Sequence, residues 1–429
     1  MSATESENSV FSRTPVNAMP APTWHRLMVN SQVLVLPKHY GIDSEFELEV
    51  EGAKLAGKDA FDSALTAFQE KLDGRKRSAK DTRAVVDAAE GKAEVGSLDV
   101  PALSSYQKNA VLEEVSGDVR EAFETGMGSE AYSFLKSGNG HVALVAQKGT
   151  SSFATVRLLA KDATCSATCV DVVAEANSQI EVTLSYEVAG EGSGQVGCAL
   201  RVFAGENAQV TVHSVQALGD AWTVFDDSGY VLDDNAKVAV THRVLGAGTA
   251  FTGLSADLRG DKSSIEVSTR YIGASEELRD FNYSIKQRGL ATESNLDANG
   301  VLAGSSKKTL RGTIDFVYGC KGSTGNERET VLLADEGVEN KTVPVILCDE
   351  DDVMGNHGAT IGHVRPEQHF YLACRGLSDK AIESLFSVAA LEEAYMAFDD
   401  ERIRHGVAKL AQVRGVDAED FIDGEEECE

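Results

Sequence analysis

The residues best suited to chemistry lie in Asp351-Asp352-Val353-Met354-Gly355-Asn356-His357-Gly358-Ala359-Thr360-Ile361-Gly362, where one histidine stands among glycines. The segment runs on into Phe370-Tyr371-Leu372-Ala373-Cys374-Arg375-Gly376. A neutral imidazole is a metal ligand and a proton carrier near neutral pH, and glycine lets the backbone around it turn tightly. By residue type alone, though, a lone histidine at the end of strand-like sequence is first read as structural.

Other groups carry weaker signals. Cysteines stand at 165, 169, 198, 320, 348, 374 and 428, an odd number with no Cys-x-x-Cys, which points neither to a disulfide framework nor to a zinc ribbon. Cys165 and Cys169 have the spacing of residues on one face of a strand and are read as small core residues. Gly52-Ala53-Lys54-Leu55-Ala56-Gly57-Lys58-Asp59 is close to a phosphate-binding loop, but Asp59 stands where a magnesium-binding Ser or Thr belongs. It is read as a plain strand–turn–helix junction. No Gly-x-Ser-x-Gly, His-Glu-x-x-His or EF-hand loop occurs, and the sequence supports no enzyme assignment.

The elements that position these residues follow from periodicity. The first 22 residues are polar and carry Pro15, Pro20 and Pro22, as an extended arm does, and Trp24, Leu27 and Val33 to Leu36 would dock it. Phe46 to Val50 alternates as a strand. Phe61, Leu65, Phe68 and Leu72 recur at helical spacing, as do Val111, Val115, Val119 and Phe123. Residues 1–130 are thus expected to be an arm followed by a mainly helical region.

From about 140 the texture changes to short β-branched segments. Asn177-Ser-Gln-Ile180-Glu-Val182, Asn207-Ala-Gln-Val210-Thr-Val212 and Asn235-Ala-Lys-Val238-Ala-Val240 repeat one pattern, with a weaker copy at Ser264-Ile265-Glu-Val267. A strand repeated after a polar turn, with starts 30 and 28 residues apart, is the signature of stacked coils. The expected architecture is mainly β: a parallel β-helix over 131–366 with Ile180, Val210, Val238 and Ile265 stacked inward. Ser378 then reads as an N-cap. A helical region over 367–416 carries the apolar stripe Ile382, Leu385, Phe386, Ala389, Leu391, Ala394, Tyr395 and Phe398, and residues 417–429 form an acidic tail.

With 40 Lys+Arg against 68 Asp+Glu, the chain has a formal net charge of −28 and is expected to avoid nucleic acid. No apolar run reaches the ~20 residues that span a bilayer, and no signal-peptide pattern opens the chain. A cytoplasmic protein without a membrane partner is expected.

The block around His357 resembles the C-terminal signature of the SufB/SufD family of iron–sulfur cluster assembly proteins. The matching residues are Pro344, Asp351-Asp352-Val353, His357-Gly358-Ala359-Thr360 with Gly362, and Phe370-Tyr371-Leu372 with Arg375-Gly376. Leu310-Arg311-Gly312-Thr313-Ile314 and Pro20-Ala21-Pro22-Thr23-Trp24 resemble two further family segments, the latter of the SufD branch. The resemblance implies a right-handed parallel β-helix between helical regions and a non-catalytic scaffold role in the SUF complex. The partners would be a SufB-type subunit or a second copy, met through the β-helix, and a SufC-type ATPase docking on the C-terminal helices near Arg375, Gly376 and Phe386. It also implies a transient iron–sulfur cluster shared with the partner, with His357 as its ligand or proton relay. Nothing in the sequence indicates flavin, which the resemblance leaves open for the complex.

Glu329 and Thr330 precede Val331-Leu332-Leu333 without the cysteine of the SufB branch, and Gly358 replaces its glutamate, so the chain is identified as SufD-like. Gly355 stands where SufD proteins often have Cys, Leu347 where they have Glu, and Lys286-Gln287-Arg288-Gly289 where a histidine segment is expected. Cys348 and Cys320 are the substitute ligands to test. The alternatives from other classes are a carbohydrate-active β-helix enzyme and a metal-free β-solenoid interaction module.

Overall fold

Each copy of the Asn-x-x-(Ile/Val)-x-Val pattern marks the same place on successive turns of a parallel β-solenoid. The computed structural model of the chain describes residues 11–23, 28–37, 41–73, 123–363 and 365–414. One face of the solenoid is built from β7 (Ser151–Ala160), β9 (Gln179–Val188), β11 (Gln209–Gln216), β13 (Lys237–Val244), β15 (Ser264–Gly273), β17 (Glu293–Leu302), β19 (Ser323–Leu333) and β21 (Val353–His363). The other face is β6 (Gly140–Ala146), β8 (Thr164–Ala174), β10 (Gly194–Ala204), β12 (Trp222–Leu232), β14 (Thr249–Leu258), β16 (Leu278–Gln287), β18 (Lys307–Phe316) and β20 (Glu339–Cys348). Two strands per turn make eight turns.

The predicted inward row is the observed one. Ile180 pairs with Val210, Val210 with Val238, and Val238 with Ile265, all in register, and none is more than 3% exposed. Register is this strict because a slip of one residue would turn every inward side chain out. The repeated asparagines explain the turns. Asn177, Asn207 and Asn235 have φ of 60°, 57° and 53°, a left-handed conformation that Asn tolerates better than other non-glycine residues. Their N–H groups donate to the carbonyls of Glu206, Asp234 and Asp261 on the following turn at 2.8–2.9 Å, so the turns stack as the strands do.

The two ends of the solenoid are treated differently. At the N-terminal end, β4 (Phe46–Glu51) runs antiparallel along β7, and β5 (Lys54–Leu55) antiparallel along β6, covering both edges. Helix α1 (Lys58–Asp73) follows and buries Phe61, Leu65 and Phe68 against Ala143, Val145, Val173 and Phe203. The near-phosphate loop at 52–59 is therefore a strand–turn–helix junction beside antiparallel pairs, with no parallel sheet of the nucleotide-binding kind behind it. At the C-terminal end, β20 and β21 are the outermost strands of their sheets among the described residues. Pro344 fits β20 for this reason, since proline belongs on edge strands.

The remaining N-terminal strands, β1 (Phe11–Val16), β2 (Gln32–Pro37) and β3 (Gly41–Asp43), together with α2 (Ser129–Lys136), lie outside the lumen. The arm is held by a buried ion pair: Arg311 donates to Asp280 Oδ1 at 2.8 Å and to the carbonyl of Val29, and Asn17 donates to the same carboxylate. Among the described residues, the N-terminal region expected to be mainly helical contributes five strands and one helix before residue 74. The expected helix over 105–125 falls almost wholly outside the described residues. Trp24, Leu27 and the acidic tail at 417–429 also lie outside them.

After β21 come α3 (Pro366–Cys374), α4 (Asp379–Met396) and α5 (Glu401–Val413). Leu391, Ala394, Val407, Leu410 and Ala411 pack against Leu245 and Ile272 on the side of the solenoid. None of the described helices is long and apolar enough to cross a membrane. Asp400 caps α5, accepting from the N–H groups of Arg402 and Ile403, and also holds Arg157 of β7 at 2.5 Å. Asp400→Ala removes a cap and an ion pair together and should destabilise the packing of α4–α5 by about 1–2 kcal/mol. Hydrogen exchange should show faster opening of residues 379–413 with the solenoid strands unchanged.

Candidate functional site

His357 lies in the middle of β21, the last strand of its sheet. This corrects the expectation that glycines turn the backbone tightly around the histidine, because Gly355, Gly358 and Gly362 are strand residues. The turn comes earlier, where the buried Glu350 carboxylate accepts from the N–H groups of Gly319 (3.0 Å) and Asp351 (3.2 Å). The register of β21 is fixed on its outer side by an asparagine ladder, in which Asn356 donates to Asn326 and Asn326 to Asn295, each at 3.0 Å. His357 pairs with Glu327 of β19. Partners in a parallel ladder share a face, so His357 extends the inward row Val212, Val240, Val267, Leu296, Glu327 by one turn. No turn covers it among the described residues, and it is exposed.

Below it the lumen changes from apolar to charged. Glu329 is 1% exposed and accepts from Tyr271 Oη at 2.9 Å and Thr342 Oγ1 at 2.5 Å, while Lys308 Nζ lies 2.5 Å from it. Lys308 also donates to Thr342 Oγ1 at 3.1 Å. Burial, reinforced by the Glu329 charge, holds the Tyr271 phenol well above its ordinary pKa, so it remains a donor. Glu327 is different. It is 5% exposed and neither carboxylate oxygen has a hydrogen-bond partner. It reaches across the lumen to Gly312, where an added Cβ would meet Glu327 Oε1 at 2.2 Å. Gly312 of the Leu-Arg-Gly-Thr-Ile segment thus leaves room for this carboxylate, and Arg311 beside it points out to fasten the arm. Burial first, and then the neighbouring Glu329 charge, push Glu327 up to about 7, with Lys308 opposing.

The other predicted residues do not converge on His357. Cys320 is buried with Ile314 and Phe316 in the turn before β19, and burial raises its thiol to about 12, which works against a thiolate ligand. Cys348 is exposed at the end of β20, its Sγ donating to the Glu350 carbonyl at 3.2 Å, beside a cleft of about 940 Å³. Among the described residues no three His, Cys, Asp or Glu side chains are close enough to hold a metal together. Gly355 is inward, and a Cβ there would meet Phe316 at 2.9 Å and Ile346 at 3.2 Å, so these neighbours occupy the space a cysteine would need. Cys165 and Cys169 are buried core residues, as expected.

A second surface is formed by α3 and α4. Gly376, at φ +94°, ends α3 as a left-handed cap, and the Arg375 guanidinium stands 4.9 Å from the Tyr371 ring centre. Phe370 is 71% and Phe386 37% exposed. Of the predicted stripe on α4, Ile382, Leu391 and Ala394 are buried, while Leu385 and Phe386 face out with Phe370 and Tyr371.

A family model described as SUF system FeS cluster assembly, SufBD core domain, matches residues 157–390, more than half of the chain. The chain belongs to the SufB/SufD family, as a SufD-like member. It is 27% identical over 185 residues to the iron–sulfur cluster assembly protein SufD of Bacillus subtilis, covering 43% of this chain and 42% of that one. It is 23% identical over 190 residues to SufD of Escherichia coli, covering 44% and 45%. An iron–sulfur cluster assembly SufBD family protein of Trieres chinensis is 25% identical over 226 residues, 50% of this chain and 46% of the relative. The chain therefore spans less than half the length of these relatives. The matched region runs from within β7 to within α4 and includes His357 and the charged lumen beneath it.

The sequence reading missed Lys308, Glu327 and Glu329. The available signal was a break in the repeat: the inward row is Val, Val, Val, Leu and then Glu327, visible once the turns are counted from the asparagines.

Two outcomes follow from the charges. Lys308→Met leaves Glu329 buried without its cation and should cost about 3–5 kcal/mol in chemical denaturation. For Glu327 the folded pKa lies above the unfolded value of about 4.3, so the folded state binds more protons between those values and stability falls as pH rises from about 4.3 through 7. Glu327→Gln should therefore be more stable than the parent at pH 8, and thermal unfolding should show a flatter pH dependence from pH 4.5 to 7.5.

Proposed function

We propose that this chain is a non-catalytic scaffold subunit of iron–sulfur cluster assembly, SufD-like, with His357 as its contribution to the place where a cluster is built. The observation that carries the reading is the position of His357 in the inward row of the uncovered last turn. A neutral imidazole there offers a nitrogen to iron or passes a proton, while donors from a facing subunit complete the set. The nascent cluster is cargo in this reading, shared across the seam.

The same end of the solenoid is the proposed pairing surface. Among the described residues no strand pairs with the outer edges of β20 and β21, and Met354 and Ile361 on β21 are 59% and 51% exposed. Exposed edges of this kind are templates for another chain. The partner is a SufB-type subunit or a second copy of this chain. The exposed apolar face of α3 and α4 with Phe370, Tyr371, Arg375 and Phe386 is the proposed dock for a SufC-type ATPase, with Gly376 setting the angle between the helices. Cys348 and Cys320 have no role in this reading.

His357→Ala should leave folding and ATPase retention intact and lower cluster yield at least tenfold in a complementation assay. Phe370→Asp should do the reverse at the dock, losing the ATPase in co-purification while the solenoid stays folded. Undiminished cluster assembly by His357→Ala would remove the role assigned to the histidine.

A further inference from the structure

The charged lumen beneath His357 is one positive charge short. Two carboxylates, Glu327 and Glu329, face one lysine, and Lys308 is committed to Glu329 at 2.5 Å. Glu329 is further satisfied by Tyr271 and Thr342. Glu327 has no hydrogen bond to either oxygen although it is 5% exposed. An ionised carboxylate taken out of water without a partner costs several kcal/mol, so buried groups of this kind are rare and mark places where something else completes the site. Gly312, without a side chain, keeps the space around the carboxylate open.

The one titratable group on the open side of Glu327 in its own row is His357, its direct register partner. The two are paired positions on adjacent strands about 4.8 Å apart, a spacing one cation can bridge between a carboxylate and an imidazole. Its lumen side is walled by protein. Its outer side faces the uncovered end, since β21 is the last strand of its sheet among the described residues.

We propose that Glu327 and His357 together bind a divalent first-row metal cation of the Fe(II) class, through one carboxylate oxygen and one imidazole nitrogen, with the outward coordination positions left for donors from a docked partner. This rests on the proposed role of His357 and adds a second donor and a source of charge balance. The cation supplies the positive charge that Lys308, committed to Glu329, does not give to Glu327, while the Lys308–Glu329 pair stays neutral beside it. An imidazole and a carboxylate are a donor pair suited to Fe(II) rather than to softer, thiolate-seeking ions. Glu327 is thus a carboxylate held at a cost to the fold in order to be neutralised by cargo.

The test is anaerobic titration of the full chain with Fe(II) alone, read by calorimetry and by the shift in thermal midpoint, for the parent, Glu327→Gln, His357→Gln and the double variant. The expected result is one site in the parent, weakened at least tenfold by either single change, with the double variant no weaker than the singles. Fe(II) should raise the midpoint of the parent and not that of Glu327→Gln, which itself should be well folded. Parent-like binding by Glu327→Gln with loss in His357→Gln would overturn this inference and leave the role of His357 standing. Binding unaffected by either change, or no saturable site in the parent, would overturn the inference. Failure of His357 in the separate cluster assay is what would remove the wider reading.

Discussion

Strict register between parallel strands is the constraint on which the rest of this structure depends. Once each strand pairs with the equivalent strand of the next turn, every inward position becomes a row along the axis, and a row can be apolar only where another turn covers it. The N-terminal rows are closed by β4 and β5 running antiparallel along the first turn. The C-terminal rows end in the open at β20 and β21. The change of lumen chemistry from Val and Leu to Glu327, Glu329 and Lys308 happens in the last turns, next to the uncovered end. The proposed site lies where the solenoid stops being able to bury itself.

That placement has a thermodynamic cost that local packing does not offset. Replacing a buried ion group by apolar residues is often neutral or stabilising, so Lys308, Glu329 and Glu327 are poor devices for stability. Lys308, Tyr271 and Thr342 make Glu329 tolerable, but nothing described does the same for Glu327. Strain of this type is characteristic of sites rather than cores. The SufD-like resemblance and the charge imbalance, which are independent observations, meet at the same two turns.

The C-terminal helices bear on the other half of the proposed function. One side of α4 and α5 is fixed to the solenoid by Leu391, Ala394, Val407 and Leu410. Ion pairs hold both ends of α5: Asp400 to Arg157 at its start, and Arg414, just past its end, to Glu277, itself paired with Arg279. α3 follows His357 by only nine residues at its first position, so force applied to the exposed aromatic face of α3 and α4 is delivered close to the open end.

The sequence by itself determined the solenoid, because its period is written in residues with local reasons to be there. Asparagines that accept a left-handed turn and paired β-branched residues gave the inward row Ile180, Val210, Val238, Ile265 to the residue. It also determined the buried face of α1 and part of that of α4, where Leu385 and Phe386 of the expected stripe face out, and singled out His357 through a family resemblance. It could not determine that His357 sits in an edge strand, that Gly355 is walled by Phe316 and Ile346, or that Glu327 and Lys308 meet in the lumen. Those facts depend on which turn is last and on which residues of two different sheets face each other. Such contacts join positions 9 to 39 residues apart on different strands, and no local propensity encodes them; only the stacking of whole turns decides them.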